Sequence, residues 1–353
     1  LLAWFDTHQR QLPWRANRDP YRIWVSEVML QQTQVATVIP FFERFVSTFP
    51  TLHALAAADL ADVLKHWEGL GYYRRAKHLH AAAQQLVRAH PAGIPNDPAY
   101  WAELPGVGPY ILGAVLSQAF ERRLPIVEAN SQRVLARWIG ERNDPRTGPA
   151  KQRLWQVATA LLPTRRVGDF NQALMELGAL VCTPTHPQCG ACPVARWCVA
   201  HRDGTQAEIP PAKSAAVVEQ VEEVAVVIHH AERVLLVQRP PTADRWASLW
   251  EFPHGPVSAG ETVLTAGPRL ARALVGLDVT LGQELGVVKH TVTRWQIRMV
   301  VLAAQSPSAA FASAFYTAGQ WVRLAELAQF PVSAPQRQIA DWLTAEERQP
   351  RLF

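Results

Sequence analysis

The sequence predicts two domains of different class, an all-helical one followed by a smaller one of mixed α and β structure. Three observations carry this expectation. The chain has 353 residues, enough for two domains of ordinary size. Up to about residue 200, Leu, Ala and Val recur at spacings of three and four. Beyond about residue 220, short β-branched runs replace that period.

Taken in order, the helical period places helices at 22–48, 59–66, 72–89, 109–119, 130–139, 150–161 and 169–181, with Pro and Gly as punctuation. These fill a first domain over 1–200. Residues 201–220 are rich in Pro, Ala and polar side chains and read as an interdomain linker. The second domain is expected over 221–347, with a tail at 348–353. Its strands are placed at 221–228, 234–238, 287–293 and 296–302, and its helices at 262–274 and 334–343.

Hydrophobic residues make up 48% of the chain, so each half can bury a core. No stretch of 18 apolar residues occurs, so no membrane span or membrane partner is expected. The chain begins Leu1-Leu2 without the features of a signal peptide, and is read as an intracellular protein lacking a few leading residues. Residues 1–213 hold 23 Lys and Arg against 17 Asp and Glu, a net of +6, whereas 214–353 hold 12 against 13, a net of −1. Sequence-independent attraction to a polyanion therefore belongs to the first part.

All four cysteines lie within 17 residues, as Cys182, Cys189, Cys192 and Cys198, in the spacing C-x6-C-x2-C-x5-C. Four thiolates this close can wrap one metal centre, and an intracellular protein does not normally pair them as disulfides. Zinc ribbons usually show two C-x2-C knuckles and this chain has one short gap, while iron–sulfur clusters tolerate varied spacing. Spacing alone leaves both metals open.

The run Leu104-Pro-Gly-Val-Gly-Pro-Tyr110 fits L-P-G-x-G, the hairpin of a helix–hairpin–helix over 104–112. Gly106 and Gly108 allow a tight turn and close approach of a ligand around Val107. Amides at the start of the next helix can then face a phosphate oxygen.

A hairpin of this kind, followed about 70 residues later by that cysteine spacing, resembles the endonuclease III superfamily of DNA glycosylases. The blocks W-V-S-E-V-M-L-Q-Q-T-Q at 24–34 and W-E-G-L-G-Y-Y at 67–73 are similar to the MutY branch, the adenine DNA glycosylases. With the second domain included, the resemblance covers almost the whole chain. It implies a helix–hairpin–helix glycosylase domain with a 4Fe–4S cluster held at 182–198, then a Nudix-like α+β domain. It also implies a monomer that acts on double-stranded DNA carrying A:8-oxoguanine or A:G mispairs, in the bacterial cytosol or nucleoid, or in the nucleus or mitochondria of a eukaryote.

The chemistry can also be argued from the residues. Breaking an N-glycosidic bond creates an oxocarbenium-like sugar and a poor leaving group. One carboxylic acid can protonate the base and one carboxylate can stabilise the cation, as in O-glycoside hydrolysis. The acid must stay protonated near neutral pH, so it belongs in a desolvated pocket. Glu27, among Trp24, Val25, Val28, Met29 and Leu30, fits the acid. For the second carboxylate the family pattern is V/L-D-G-N-x-x-R-V, and the chain reads Val127-Glu-Ala-Asn-Ser-Gln-Arg-Val134. Glu128 stands where Asp is expected. The extra methylene displaces the carboxylate by about 1.5 Å, and errors near 1 Å can cost on the order of 100-fold in rate. The expectation is that Glu128 still does the Asp's work. By resemblance, Asn130 lies beside the reacting sugar and Tyr110 close to the reaction centre. Bifunctional members carry Lys at the Tyr110 position to form a Schiff base. A phenol cannot form that imine, so a monofunctional enzyme is expected.

The target nucleotide must leave the stack and the gap be filled. By resemblance, Gln31, Gln32 and Thr33 contact the DNA, Gln32 enters the helix and Tyr72 wedges beside the opposing base, while Tyr73 is equally suited to core packing. Arg15, Trp14 and Leu30 resemble residues of the adenine pocket. In the second domain, Gly255, Glu261, Arg269 and Gly276 fall in register with a Nudix box, but Leu270, Ala273 and Leu274 replace its three metal-binding glutamates. Apolar side chains cannot hold a hard cation. The family loop H-T-F-S-H, which reads 8-oxoguanine, corresponds to His290-Thr-Val-Thr-Arg294, so His290, Thr291, Thr293 and Arg294 are candidate lesion contacts. Two other activities remain as alternatives: a bifunctional glycosylase/lyase, and a Nudix pyrophosphohydrolase with a DNA-binding module.

Overall fold

Helices occupy most of the chain as far as Arg202. In order they are α1 (Leu2–His8), α2 (Pro20–Leu30), α3 (Val35–Thr48), α4 (Leu52–Ala57), α5 (Leu60–Trp67), α6 (Arg74–Ala89), α7 (Pro98–Ala102), α8 (Pro109–Phe120), α9 (Ala129–Ile139), α10 (Gly148–Leu161), α11 (Val167–Leu180) and α12 (Val199–Arg202). The computed structural model describes residues 1–212 and 218–348. Residues 213–217 of the expected linker and 349–353 of the expected tail lie outside the described residues. Among the described residues, no helix is long and apolar enough to cross a membrane.

Residues Leu1–Ala57 and His78–Ser214 form one compact unit, and Ala58–Lys77 joins Ala215–Phe353 in a second. The segment 58–77, expected in the first domain, therefore groups with the second. Its anchors there are polar and long-range. Arg337 Nε and Nη2 donate to Glu68 at 2.5 and 3.1 Å, and the Tyr73 hydroxyl donates to the Val332 carbonyl at 2.9 Å. Such contacts leave no trace in local periodicity.

In the first unit, α8 runs through the middle. Ile111 and Ala114–Gln118 are all buried, and the helix packs against α2 and α11. A helix apolar on nearly every face is a core helix. Asp19 caps α2 by accepting from the Tyr21 amide, and Pro20 occupies the first turn, where its missing N–H costs nothing. The single helix expected over 22–48 is two helices broken at 31–34, with Gln32 in the left-handed region at φ 59°. Gln-Gln-Thr-Gln contains no residue that ends a helix by itself, so the apolar period ran across the break. The start of the expected linker is packed rather than loose. Ile209 is buried in the same core cluster as Leu135, Leu174 and Ala200.

The second unit is a mixed sheet between helices. Its strands are β1 (Glu219–His230), β2 (Arg233–Gln238), β3 (Trp250–Glu251), β4 (His254–Pro256), β5 (Thr280–Val292), β6 (Trp295–Gln305) and β7 (Ala318–Val322). The sheet order is β3-β2-β1-β6-β5, with β4 on β1 and β7 on β2. β1 and β6 run parallel, in a register that pairs Val224 with Val300. Helices α13 (Val263–Val275) and α14 (Ala334–Arg348) cover the sheet. Val224, Val300 and Leu302 pack with Ala266 and Leu270 of α13, while Ala225, Val227, Met299 and Val301 pack with Ile339, Ala340 and Leu343 of α14. Successive strand residues point to opposite faces, which is why β1 reads as an unbroken apolar run.

Candidate active site

Glu27 lies on α2 with its side chain sealed in the first unit, 3% exposed. Two groups from α8 hold its carboxyl. The Tyr110 hydroxyl makes a short hydrogen bond to Oε2, and Gln118 Nε2 donates to Oε1 at 2.8 Å. Burial pushes the Glu27 carboxyl above its ordinary range, against the two donors, and the nearby charge of Glu128 raises it further. Burial likewise holds Tyr110 well above the usual phenol range, so it stays neutral.

Glu128 is the N-cap of α9. Its two oxygens accept from the Asn130 amide at 2.8 Å and the Ser131 amide at 2.7 Å, and the Ser131 hydroxyl accepts from the Glu128 amide at 2.8 Å, closing a capping box. Burial pushes the Glu128 carboxyl up, and these backbone donors oppose it. The site therefore contains two interacting carboxyls. With one proton between them, the charge belongs on Glu128, at the positive end of a helix, and the proton on Glu27. The Glu128 side chain folds back onto the start of its own helix.

Asn130 is held beside it. Its Oδ1 accepts from Arg133 Nη2 at 2.9 Å, and the same guanidinium donates to the carbonyls of Gly178 at 2.9 Å and Cys182 at 2.8 Å. A Cβ at Gly178 would stand 2.6 Å from the Asn130 Cβ, so this crossing of α9 and α11 requires glycine.

Arg15, on the turn Pro13–Arg15, bonds Glu176 at 2.9 Å, and Arg10 bonds the same carboxylate at 2.8 Å. Burial alone would raise Glu176, but the two guanidiniums reverse this and hold it at about 2. Arg15 is thereby fixed where its charge reaches Glu27. Trp14 is buried with its ring edge-on to Phe42 at 5.4 Å, and Leu30 is half-buried at the end of α2. Gln31, Gln32 and Thr33 lie in the α2–α3 connection, where Gln32 is exposed and the other two are half-buried.

The hairpin is present. Gly106 has φ 74°, and a Cβ there would meet His78 Cβ at 2.7 Å. The Val107 amide closes the turn on Leu104, and Gly108 caps α8 with open space in front of it. In the second unit, Tyr72 is 56% exposed with φ 48°, whereas Tyr73 is buried.

The four cysteines are free and partly buried. Cys182, Cys192 and Cys198 pack against one core cluster. Burial pushes the Cys189, Cys192 and Cys198 thiols up, and the charges of neighbouring cysteines add to it. Arg137 is buried beneath this loop. It donates to Cys182 Sγ at 3.3 Å, to the Thr183 and Pro184 carbonyls at 2.7 and 3.0 Å, and to the Ile209 carbonyl at 2.7 Å. Among the described residues, no three His, Cys, Asp or Glu are grouped as ligands of one metal ion. The thiols lie within electrostatic reach of one another.

Of the lesion-reading candidates, only Thr293 and Arg294 lie in a turn. His290, Thr291 and Val292 belong to β5, in register with Ile297, Gln296 and Trp295 of β6. Strand alternation puts Thr291 outward, while His290 turns inward beside Trp246, with both ring nitrogens buried and unpartnered. Arg294 is exposed, pairs with Glu219 at 3.2 Å and lies over the Trp295 ring at 5.2 Å. The Nudix-box positions form a framework without ligands. Arg269 pairs with Glu261 at 2.7 Å, Gly276 ends α13 in the left-handed region, and Leu270 is core.

Sequence reasoning missed Gln118, Arg133, Arg137 and Glu176. Each is a polar residue within an amphipathic or apolar helix, which is a signal of a buried partner. Their partners lie up to 166 residues away and could not be paired from sequence.

Residues 25–159 match the HhH-GPD superfamily of base excision DNA repair proteins, and residues 223–342 match the NUDIX domain. The chain is 33% identical to an adenine DNA glycosylase of Rattus norvegicus, over 96% of this chain and 76% of that one. It is 43% identical to an adenine DNA glycosylase of Mycobacterium tuberculosis, over 61% and 71%. Among solved structures it resembles a thermostable thymine-DNA glycosylase, with TM-score 0.51 and 28% identity, over 57% of this chain and 93% of that one. A helical glycosylase unit, a NUDIX unit and this extent of identity agree: the chain belongs to the adenine DNA glycosylase family of base-excision-repair enzymes.

Proposed function

We propose that the chain hydrolyses the N-glycosidic bond of adenine mispaired with 8-oxoguanine or guanine, as a monomer and without strand cleavage. The observation that carries this reading is the buried Glu27, its carboxyl pushed up by burial and by the nearby Glu128, whose own oxygens are held by two amides at the start of α9. Glu27 gives its proton to a ring nitrogen of the extruded adenine as the bond to the sugar breaks. The electron pair leaves with the base, and the Glu128 carboxylate faces the cationic sugar. Water then adds to the anomeric carbon and its proton is lost, leaving an abasic site. Arg15, Trp14 and Leu30 line the adenine, Asn130 orients the sugar, and Gln31, Gln32, Thr33, Tyr72 and the hairpin at Gly106, Val107 and Gly108 hold the distorted duplex. Thr293 and Arg294 meet the opposite purine, with His290 and Thr291 supporting that hairpin. The test is single-turnover adenine release from A:8-oxoguanine and A:G duplexes. Release from neither would overturn the reading.

Tyr110 gives a second expected outcome. Borohydride added during turnover traps no covalent protein–DNA adduct, because a neutral phenol cannot form an imine. Efficient trapping would instead assign a lyase.

Cys182, Cys189, Cys192 and Cys198 hold one 4Fe–4S cluster. The cluster, when bound, cross-links the loop between Cys182 and Cys198. No catalytic candidate is a cysteine, so its part is structural. Metal analysis of the purified protein is expected to find about four irons per chain, and Cys192→Ser to lose most of them. Stoichiometric zinc in their place would overturn this assignment.

A further inference from the structure

We propose that Gln118 is a positioning residue that decides which oxygen of Glu27 carries the acidic proton. The inference rests on reading Glu27 as the proton donor. Gln118 lies on α8 among Ile111, Ala114, Val115 and Leu116, and is itself buried. An amide in such a helix is costly unless it is hydrogen-bonded. The bond it makes runs from Nε2 to Glu27 Oε1 at 2.8 Å.

A protonated carboxyl has one O–H and one carbonyl oxygen. An amide NH₂ only donates, so the oxygen facing it must accept. Oε1 is therefore the carbonyl oxygen, and the proton sits on Oε2. The Tyr110 hydroxyl meets Oε2, and a hydroxyl can donate or accept. It donates to Oε2, which keeps acceptor capacity while it carries the proton, so the acidic proton itself stays free for the base. Without Gln118 neither oxygen is fixed as the acceptor, and the proton could occupy either one. Once the proton has left, Gln118 and Tyr110 each donate to one oxygen of the resulting carboxylate.

The charged and titratable groups around Glu27 are Tyr110 from α8, Glu128 at the start of α9, and Arg15, which is backed by Glu176 of α11 and by Arg10. Glu128 opposes ionisation of Glu27 and Arg15 favours it. A substitution at 118 leaves all of them in place.

The test is the pH profile of single-turnover adenine release for the wild type, Gln118→Leu and Gln118→Asn. The Asn amide is too short to keep the bond. Release requires the protonated acid, so the wild-type rate falls as pH rises through the Glu27 pKa. Removing a donor to the carboxylate disfavours ionisation, so in both variants this fall is expected about one unit higher in pH. The plateau rate is expected to drop about tenfold, because the carboxyl is no longer held in one orientation. A purely structural role would lower the rate and leave the profile where it is. An unmoved profile, or one shifted to lower pH, would overturn the proposal. Should Gln118→Leu fail to fold, Gln118→Asn carries the measurement. Glu27→Gln separates the two levels of inference. If it keeps wild-type release, the role of Glu27 as acid fails, and that of Gln118 with it. If it loses release while the variant profiles stay unmoved, only the role of Gln118 fails.

Discussion

Glu27→Gln is expected to slow single-turnover adenine release by about 100- to 10,000-fold, the range that a positioned general acid supplies. The substitution is nearly isosteric. A Gln at this position can still accept from Gln118 and donate to the Tyr110 oxygen, so the pocket stays satisfied and the fold intact. It cannot release a proton to the leaving base. Binding of the A:8-oxoguanine duplex should survive within a few-fold, because neither partner of Glu27 is a DNA contact. The expected signature is therefore tight binding with almost no release, at every pH where the wild type is active. Release within a few-fold of wild type would assign the acid to another group. The raised position of Glu27 also fixes the sign of the wild-type pH dependence. Release falls as pH increases through its pKa, since only the protonated form acts.

The helices that build this site were legible because they are long and amphipathic. The ranges expected at 109–119 and 130–139 became Pro109–Phe120 and Ala129–Ile139. The burial of Glu27 was legible because a single carboxyl stands out among Trp24, Val25, Val28 and Met29. Three things could not be read. The break at 31–34 lies in residues that tolerate a helix, so tertiary packing decided it. The grouping of 58–77 with the second unit depends on pairs such as Glu68 with Arg337, which are 269 residues apart. The supporting network of Gln118, Glu176, Arg133 and Arg137 exists only once α8, α9 and α11 meet. Each member looked like an isolated polar residue, and its meaning came from its partner. The strands expected at 287–293 and 296–302 formed, as parts of β5 and β6, and their alternation sends His290 and Thr291 to opposite faces and leaves only Thr293 and Arg294 of the motif His290–Arg294 at the turn.

Glu128→Gln is expected to cost about 100- to 1,000-fold in release, the scale of losing one preorganised electrostatic contact to a developing charge. Both Glu128 oxygens are bound by amides at the start of α9, where the helix end favours negative charge. Those amides fix the carboxylate in place before the substrate arrives, so it need not reorganise as the sugar becomes cationic. Gln keeps one acceptor for the cap and loses the charge, which separates the electrostatic role from the structural one. Glu128→Asp tests the length of the side chain. Asp is a favoured N-cap, so α9 should remain intact and the melting temperature close to wild type. If the back-folded Glu places its carboxylate as well as a shorter side chain would, the Asp variant keeps release within about tenfold. If the extra methylene has displaced it, the Asp variant is faster than wild type. Wild-type release by Glu128→Gln would remove the carboxylate from the mechanism. Tight mispair binding with no release by the wild type, Glu128→Asp and Glu128→Gln alike would mean that the chain recognises the mispair and leaves its excision to another enzyme.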